Sequence, residues 1–197
     1  MLTIAVEGIS DEAIIRRLCI LTGVNVGSVH GKRGKPKLDA NITGYNAAAQ
    51  YGPWLVVRDL NGDAPCAPAL RSQLLPALSE GMYLRIAVRS VESWLLADRN
   101  GVADFLGISR SLVPRSPETL EKPKRTFVNL ARRSRRRLIR EDIVPMVGLS
   151  SEVGAGYTSR IIEFATHYWN PQDAALYADS LRRCIQDLEQ IASAHQS

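Results

Sequence analysis

A chain of 197 residues, 45% of them hydrophobic and 23% charged, has ordinary globular composition and is not a disordered tail. No stretch approaches the roughly 20 consecutive apolar residues of a membrane span, and Glu7 comes too early for a secretory signal, so a cytoplasmic protein with no membrane partner is expected. Three cysteines, Cys19, Cys66 and Cys184, are odd in number and never form a C-x-x-C pair, which points to buried thiols rather than to a disulfide framework or a zinc cluster.

In chain order, Leu2 to Val6 reads as a short apolar strand that stops at Glu7-Gly8. Ser10-Asp11-Glu12 then offers an N-cap and an acidic first turn, and Ile14, Ile15, Leu18 and Cys19 recur at helical spacing. Val24 to His30 is a second strand, running into a basic glycine loop from Gly31 to Lys37, and Leu38 to Gln50 a second helix. Trp54 to Val57 is a third strand, ending at Arg58-Asp59-Leu60-Asn61-Gly62-Asp63. Pro68 to Leu78 is moderately helical, Tyr83 to Val88 is a fourth strand, and Val91 to Asp98 starts a helix. This alternation predicts an α/β domain over residues 1–105, built on a mostly parallel, Rossmann-like sheet flanked by helices. In such sheets ligands bind beyond the carboxyl ends of the strands, where Glu7, Asp59 and, just past a third strand, Glu92 are expected.

The texture changes beyond Gly107. Pro114, Pro117 and Pro123 punctuate a linker, Lys124 to Arg137 reads as one basic helix with Phe127, Val128, Leu130 and Ala131 on its apolar side, and helical patterns follow at Thr158 to Tyr168 and Gln172 to Ala194. Residues 106–197 are therefore expected to form a basic linker and a helical C-terminal extension, whose unassigned apolar positions either complete the core or make an oligomer interface. Within 110–140 the chain carries nine net positive charges, and five arginines, Arg132, Arg133, Arg135, Arg136 and Arg137, fall within six residues. Such a run is commonly a solvated helix face, but guanidinium forks also grip phosphate oxygens, and here nucleic acid is the reading placed ahead.

The chemistry-bearing pattern is Glu7 after the first strand together with Asp59-x-Asn61-Gly62-Asp63 after the third. Oxygen ligands gathered at strand ends suit Mg²⁺ (or Mn²⁺), a hard cation that often completes its shell with substrate phosphates. Taken alone, Asp-x-Asn-Gly-Asp is a turn sequence. It is not an EF-hand loop, because its glycine stands fourth rather than sixth and position twelve is Leu70. Gly27 to Arg33 is not a Walker loop, because its glycine spacing is short and no Ser or Thr follows the lysine.

A strand ending in Val6-Glu7-Gly8 before an amphipathic helix, with an Asp-x-Asp-like motif after a later strand, resembles the TOPRIM domain of topoisomerases, bacterial primases and overcoming-lysogenization-defect nucleases. The segment from Arg85 to Asp98, with Pro123-Lys124-Arg125, Gly156-Tyr157 and the Ser180 to Cys184 region, is similar to a narrower TOPRIM-like family of small bacterial proteins linked to ATPases and to antiviral defence. The resemblance implies a magnesium-dependent nuclease with Glu7 as general acid/base or metal ligand and Asp59, Asn61 and Asp63 as metal ligands. Glu92 is implied as a further catalytic acid, Lys124 as the cation that stabilises the transferred phosphate, and Arg125 joins the arginines of 132–137 in binding nucleic acid. Asn61 stands where the broader family has a second Asp. The expected function is thus a metal-dependent phosphodiesterase acting on DNA or RNA, with an ATPase as partner protein. The alternative is a non-catalytic nucleic-acid-binding or regulatory subunit with a degenerate site.

Overall fold

Strands β1 (Leu2–Val6), β2 (Val26–Gly31), β3 (Trp54–Asp59) and β4 (Met82–Ala87) form one all-parallel sheet in the order β2-β1-β3-β4. The computed structural model describes residues 1–148 and 150–194. Side chains alternate across the strands as the pleat requires. Ala5, Val56, Leu84 and Ile86 pack with Leu38 and Ile42 of helix α2 (Lys35–Ala48) and Leu70 of α3 (Ala67–Leu74) in one buried cluster. On the other side of β4, Arg85 pairs with Asp187 of α10 (Asp179–Ala194), an ion pair that ties this last helix to the sheet. Buried Ile14, Ile15, Leu18 and Cys19 line α1 (Ile9–Thr22), at the positions the helical spacing predicts. Its N-cap is Gly8 rather than Ser10, because the Asp11 carboxylate reaches back to accept the Gly8 N–H at 2.9 Å.

The chain divides into two units, Met1–Val88 with Ser180–Ser197, and Arg89–Asp179. The break expected near residue 105 therefore lies at 88/89, and the chain returns to the first unit from Ser180 onward, whereas residues 106–197 were expected to form a single extension. Among the described residues the second unit holds no strand; its α-helices are α4 (Val91–Ala97), α5 (Arg99–Leu106), α6 (Pro123–Ala131), α7 (Arg137–Ile143), α8 (Tyr157–His167) and α9 (Pro171–Ala175). Every residue of α4 is buried. Asp98 joins α4 to α5 and accepts the N–H of Gly101 at 2.8 Å and of Asn170 at 2.7 Å, and burial pushes its carboxyl above the usual range.

Two expected helices are broken. Lys124 to Arg137 is not continuous: α6 ends at Ala131 and α7 begins at Arg137. The buried Ser134 hydroxyl donates to the Leu106 carbonyl and accepts the Arg136 N–H, giving the backbone an alternative to helical bonding. Gln172 to Ala194 likewise splits into α9 and α10. Cys19 and Cys184 are buried as expected, and burial pushes the Cys19 thiol up to about 12 and the Cys184 thiol up as well. Cys66 is exposed. No helix among the described residues is long and apolar enough to cross a membrane.

Gly31 closes β2 against β1. At φ +85°, an added Cβ would stand 2.1 Å from the Val6 carbonyl oxygen, which accepts the Lys32 N–H at 2.9 Å. We expect Gly31→Ala to destabilise the protein by about 3 kcal/mol or more. Gly23→Ala, also at positive φ but with nothing within 4 Å, should lose only about 1 kcal/mol. Urea denaturation of the two variants measures the difference.

Candidate active site

The strand order reverses at β1, whose neighbours are β2 and β3, so the crevice beyond the carboxyl ends of β1 and β3 is the switch point at which open parallel sheets bind ligands. Glu7 follows β1 directly and Asp59 is the last residue of β3. The structure brings them together: the Asp59 N–H donates to Glu7 Oε1 at 2.9 Å. The basic glycine loop returns over the same edge, where its Gly34 N–H donates to the Glu7 carbonyl at 3.0 Å.

Beneath these acids lies Arg58, with a side chain only 2% exposed. Its guanidinium donates to both carboxylate oxygens of Asp39 (3.0 and 3.1 Å), to Asp63 at 2.6 Å and to the Asp59 carbonyl, with Glu7 at 3.5 Å. Burial opposes the positive charge, but Asp39, Asp63 and Glu7 outweigh it and hold the pKa of Arg58 above its ordinary value. Asp63 is pulled below its ordinary value by Arg58 above all, against the opposing effect of burial and with further help from Lys35 at 3.0 Å. Glu7 goes the other way. Burial raises its pKa by more than the Asp59 N–H and the Arg58 charge lower it, and the nearby Asp11 and Asp39 charges raise it further.

The four expected metal ligands do not gather as a set. Leu60 to Asp63 is a tight turn, closed by the Asp63 N–H on the Leu60 carbonyl at 2.9 Å. Asn61 and Gly62, at φ +48° and +81°, occupy its two left-handed central positions. That geometry accounts for an asparagine where an aspartate was the family expectation, and it leaves Asn61 exposed. Asp63 is engaged by Arg58 and Lys35. Among the described residues, no group of three or more His, Cys, Asp or Glu side chains is placed to hold a metal ion. The smaller donor set of Glu7 and Asp59 still fits Mg²⁺, which is commonly bound through one or two carboxylates plus substrate phosphates.

Glu92 and Lys124 belong to the second unit and meet each other there, Lys124 Nζ lying 3.4 Å from Glu92 Oε1. The Glu92 carboxylate is buried and accepts hydrogen bonds from the Ser90 hydroxyl at 2.7 Å and the Tyr157 hydroxyl at 3.2 Å. Lys124 also stands 5.9 Å from the Tyr157 ring centroid. The expected nucleic-acid-binding arginines separate into two groups. Arg137 is bonded to Glu141 at 2.7 Å, and the stem of Arg136 lies over Gly107. Arg125, Arg132, Arg133 and Arg135 make no such contact among the described residues, and all six arginines are exposed.

Comparison with protein-family models, with curated proteins and with solved structures finds no match to this chain. The geometry therefore stands on its own. It adds Asp39, Lys35 and the central position of Arg58, none of which a spacing argument reaches, because their contacts join separate elements. The one sequence signal for them is the placement of Gly31-Lys-Arg-Gly-Lys35 directly after a strand, at the same sheet edge as Glu7.

A raised pKa gives Glu7 a pH signature. Its contribution to stability is complete below the ordinary carboxylate pKa and is lost as pH rises through the folded-state value. Glu7→Gln keeps an oxygen to accept the Asp59 N–H and removes the titration. We expect the variant to gain stability relative to wild type as pH rises from about 4 to about 8, as read by urea denaturation across that range.

Proposed function

We propose that this protein is a cytoplasmic, metal-dependent phosphodiesterase of TOPRIM type that cleaves DNA or RNA, with Glu7 as the proton-transferring residue. The reading rests on one observation: at the β1/β3 switch point, the Glu7 carboxylate accepts the N–H of Asp59 while burial raises its affinity for a proton. A carboxylate held in one orientation, with a pKa shifted toward neutrality, suits general acid or base work. Glu7 and Asp59 would hold Mg²⁺ or Mn²⁺, which when bound lowers the pKa of a coordinated water and neutralises charge on a phosphodiester. Arg58 fixes the position of Glu7, pairs with Asp39 and keeps neighbouring Asp63 ionised, while the exposed Arg33 and Lys37 of the glycine loop attract a polyanion to this edge. The proposal needs neither Glu92 nor Lys124, whose pairing lies within the second unit.

One observation favours a second reading, a non-catalytic subunit of an ATPase complex. Asp63, an expected ligand, is neutralised by Arg58 and Lys35. The two readings separate in a cleavage assay on plasmid, single-stranded DNA and tRNA with Mg²⁺, Mn²⁺ or EDTA. We expect metal-dependent cutting that falls about 100-fold or more in Glu7→Gln, with the fold retained by circular dichroism. Equal cutting by wild type and variant, or cutting in EDTA, overturns the phosphodiesterase. Absence of both cutting and calorimetric Mg²⁺ or Mn²⁺ binding establishes the second reading.

A further inference from the structure

Within the second unit, α6 and residues of the segment after α7 border an open cavity of about 460 Å³, within the roughly 300–1,000 Å³ range of small-molecule sites. One wall is the outward face of α6, where Arg125, Asn129 and Arg132 fall at i, i+4 and i+7 and so share one side of the helix. Among the described residues neither guanidinium has an ion-pair partner, in contrast to Arg137. Pro145, Met146 and Val147 line the other wall, with Ser151 and Glu152 beyond them, and Met146 and Val147 are exposed.

This combination selects one kind of ligand. Two guanidiniums without an ion pair, about 10 Å apart along the helix axis and set against the single carboxylate of Glu152, call for an anion with more than one charged group, and phosphates suit their forked donors. An apolar wall is wasted on a bare phosphate but complements the face of a nucleobase. Asn129, Ser151 and Glu152 supply donors and acceptors for a base edge, Glu152 matching an exocyclic amino group. In a duplex the bases are stacked and paired inside and cannot enter such a cavity. We propose that the cavity seats an unpaired nucleotide of single-stranded nucleic acid, its flanking phosphates held by Arg125 and Arg132. The assignment deepens the phosphodiesterase reading and rests on it for its biological sense, but it is tested by binding rather than by cleavage.

The test is fluorescence anisotropy with a labelled, mixed-sequence DNA or RNA oligonucleotide of about twelve nucleotides, single-stranded or annealed to its complement, across a salt series. Combined Arg125→Ala and Arg132→Ala should weaken single-strand binding about tenfold or more and reduce the salt slope by about 1.4, roughly 0.7 for each phosphate that is no longer neutralised. Met146→Asp should weaken it as well, and Arg16→Ala, at an exposed arginine of α1 paired with Glu12 at 2.8 Å, should change it less than about twofold. Failure of wild type to bind, unchanged affinity in the double variant, equal loss in Arg16→Ala, or duplex binding as tight as single-strand binding each overturns the seat. Cleavage by the same preparations keeps the two claims apart. Binding that depends on Arg125 and Arg132 without any Glu7-dependent cutting sustains the seat and removes the nuclease. Glu7-dependent cutting with binding indifferent to both arginines does the reverse.

Discussion

The strand-end site is organised around one buried cation. Arg58 comes from β3 and has almost no contact with water, so its charge persists only because carboxylates are brought to it: Asp39 from α2, Asp63 from the turn after β3, and Glu7 from the end of β1. Removing a guanidinium from water is expensive, and the cost is offset only when its donors are filled in good geometry. Asp39 meets two of those donors side by side, and the Asp59 carbonyl takes another. The requirement to satisfy this one group sets where the N-terminal half of α2, the Asn61-Gly62 turn and the end of β1 lie relative to one another.

The same arrangement drives neighbouring acids in opposite directions. Asp63 is more exposed and close to two cations, so it stays ionised to lower pH than an ordinary aspartate. Glu7 is more deeply placed and its contact with Arg58 is longer, at 3.5 Å, so desolvation prevails and its proton is held more tightly. Divergent environments for adjacent titratable groups are how a single cleft obtains both a fixed charge and a proton carrier. Here both follow from how far each carboxylate lies from one guanidinium and how much water it retains.

Much of the first unit could be read from periodicity. The strand Leu2–Val6 runs between the expected residues, the other three shift by two residues or fewer at each end, and Glu7 and Asp59 stand at strand ends as the alternation of elements requires. What could not be read depends on contacts between elements. Asp39 is an ordinary acid in the first turns of a helix until folding sets it against Arg58. Lys124 to Arg137 has a helical pattern throughout, yet one buried hydroxyl, Ser134, finds a better partner in the distant Leu106 carbonyl and breaks it. The return of α10 to the sheet is likewise invisible locally, since it depends on contacts between distant residues, such as the pairing of Asp187 with Arg85, 102 residues away.

That return makes the second unit an insertion in the first. The chain leaves after Val88 and re-enters at Ser180, and the two points touch, the Val88 N–H donating to the Ser180 hydroxyl at 3.2 Å. On the ribosome, the helical unit is contiguous and has all of its residues available before α10 emerges. The sheet must wait with one flank covered only in part, since the helix carrying Leu181, Cys184, Leu188 and Ile191 follows the other elements of its unit in the chain. Biosynthesis thus imposes an order on the two units, with the earlier-begun sheet completed second.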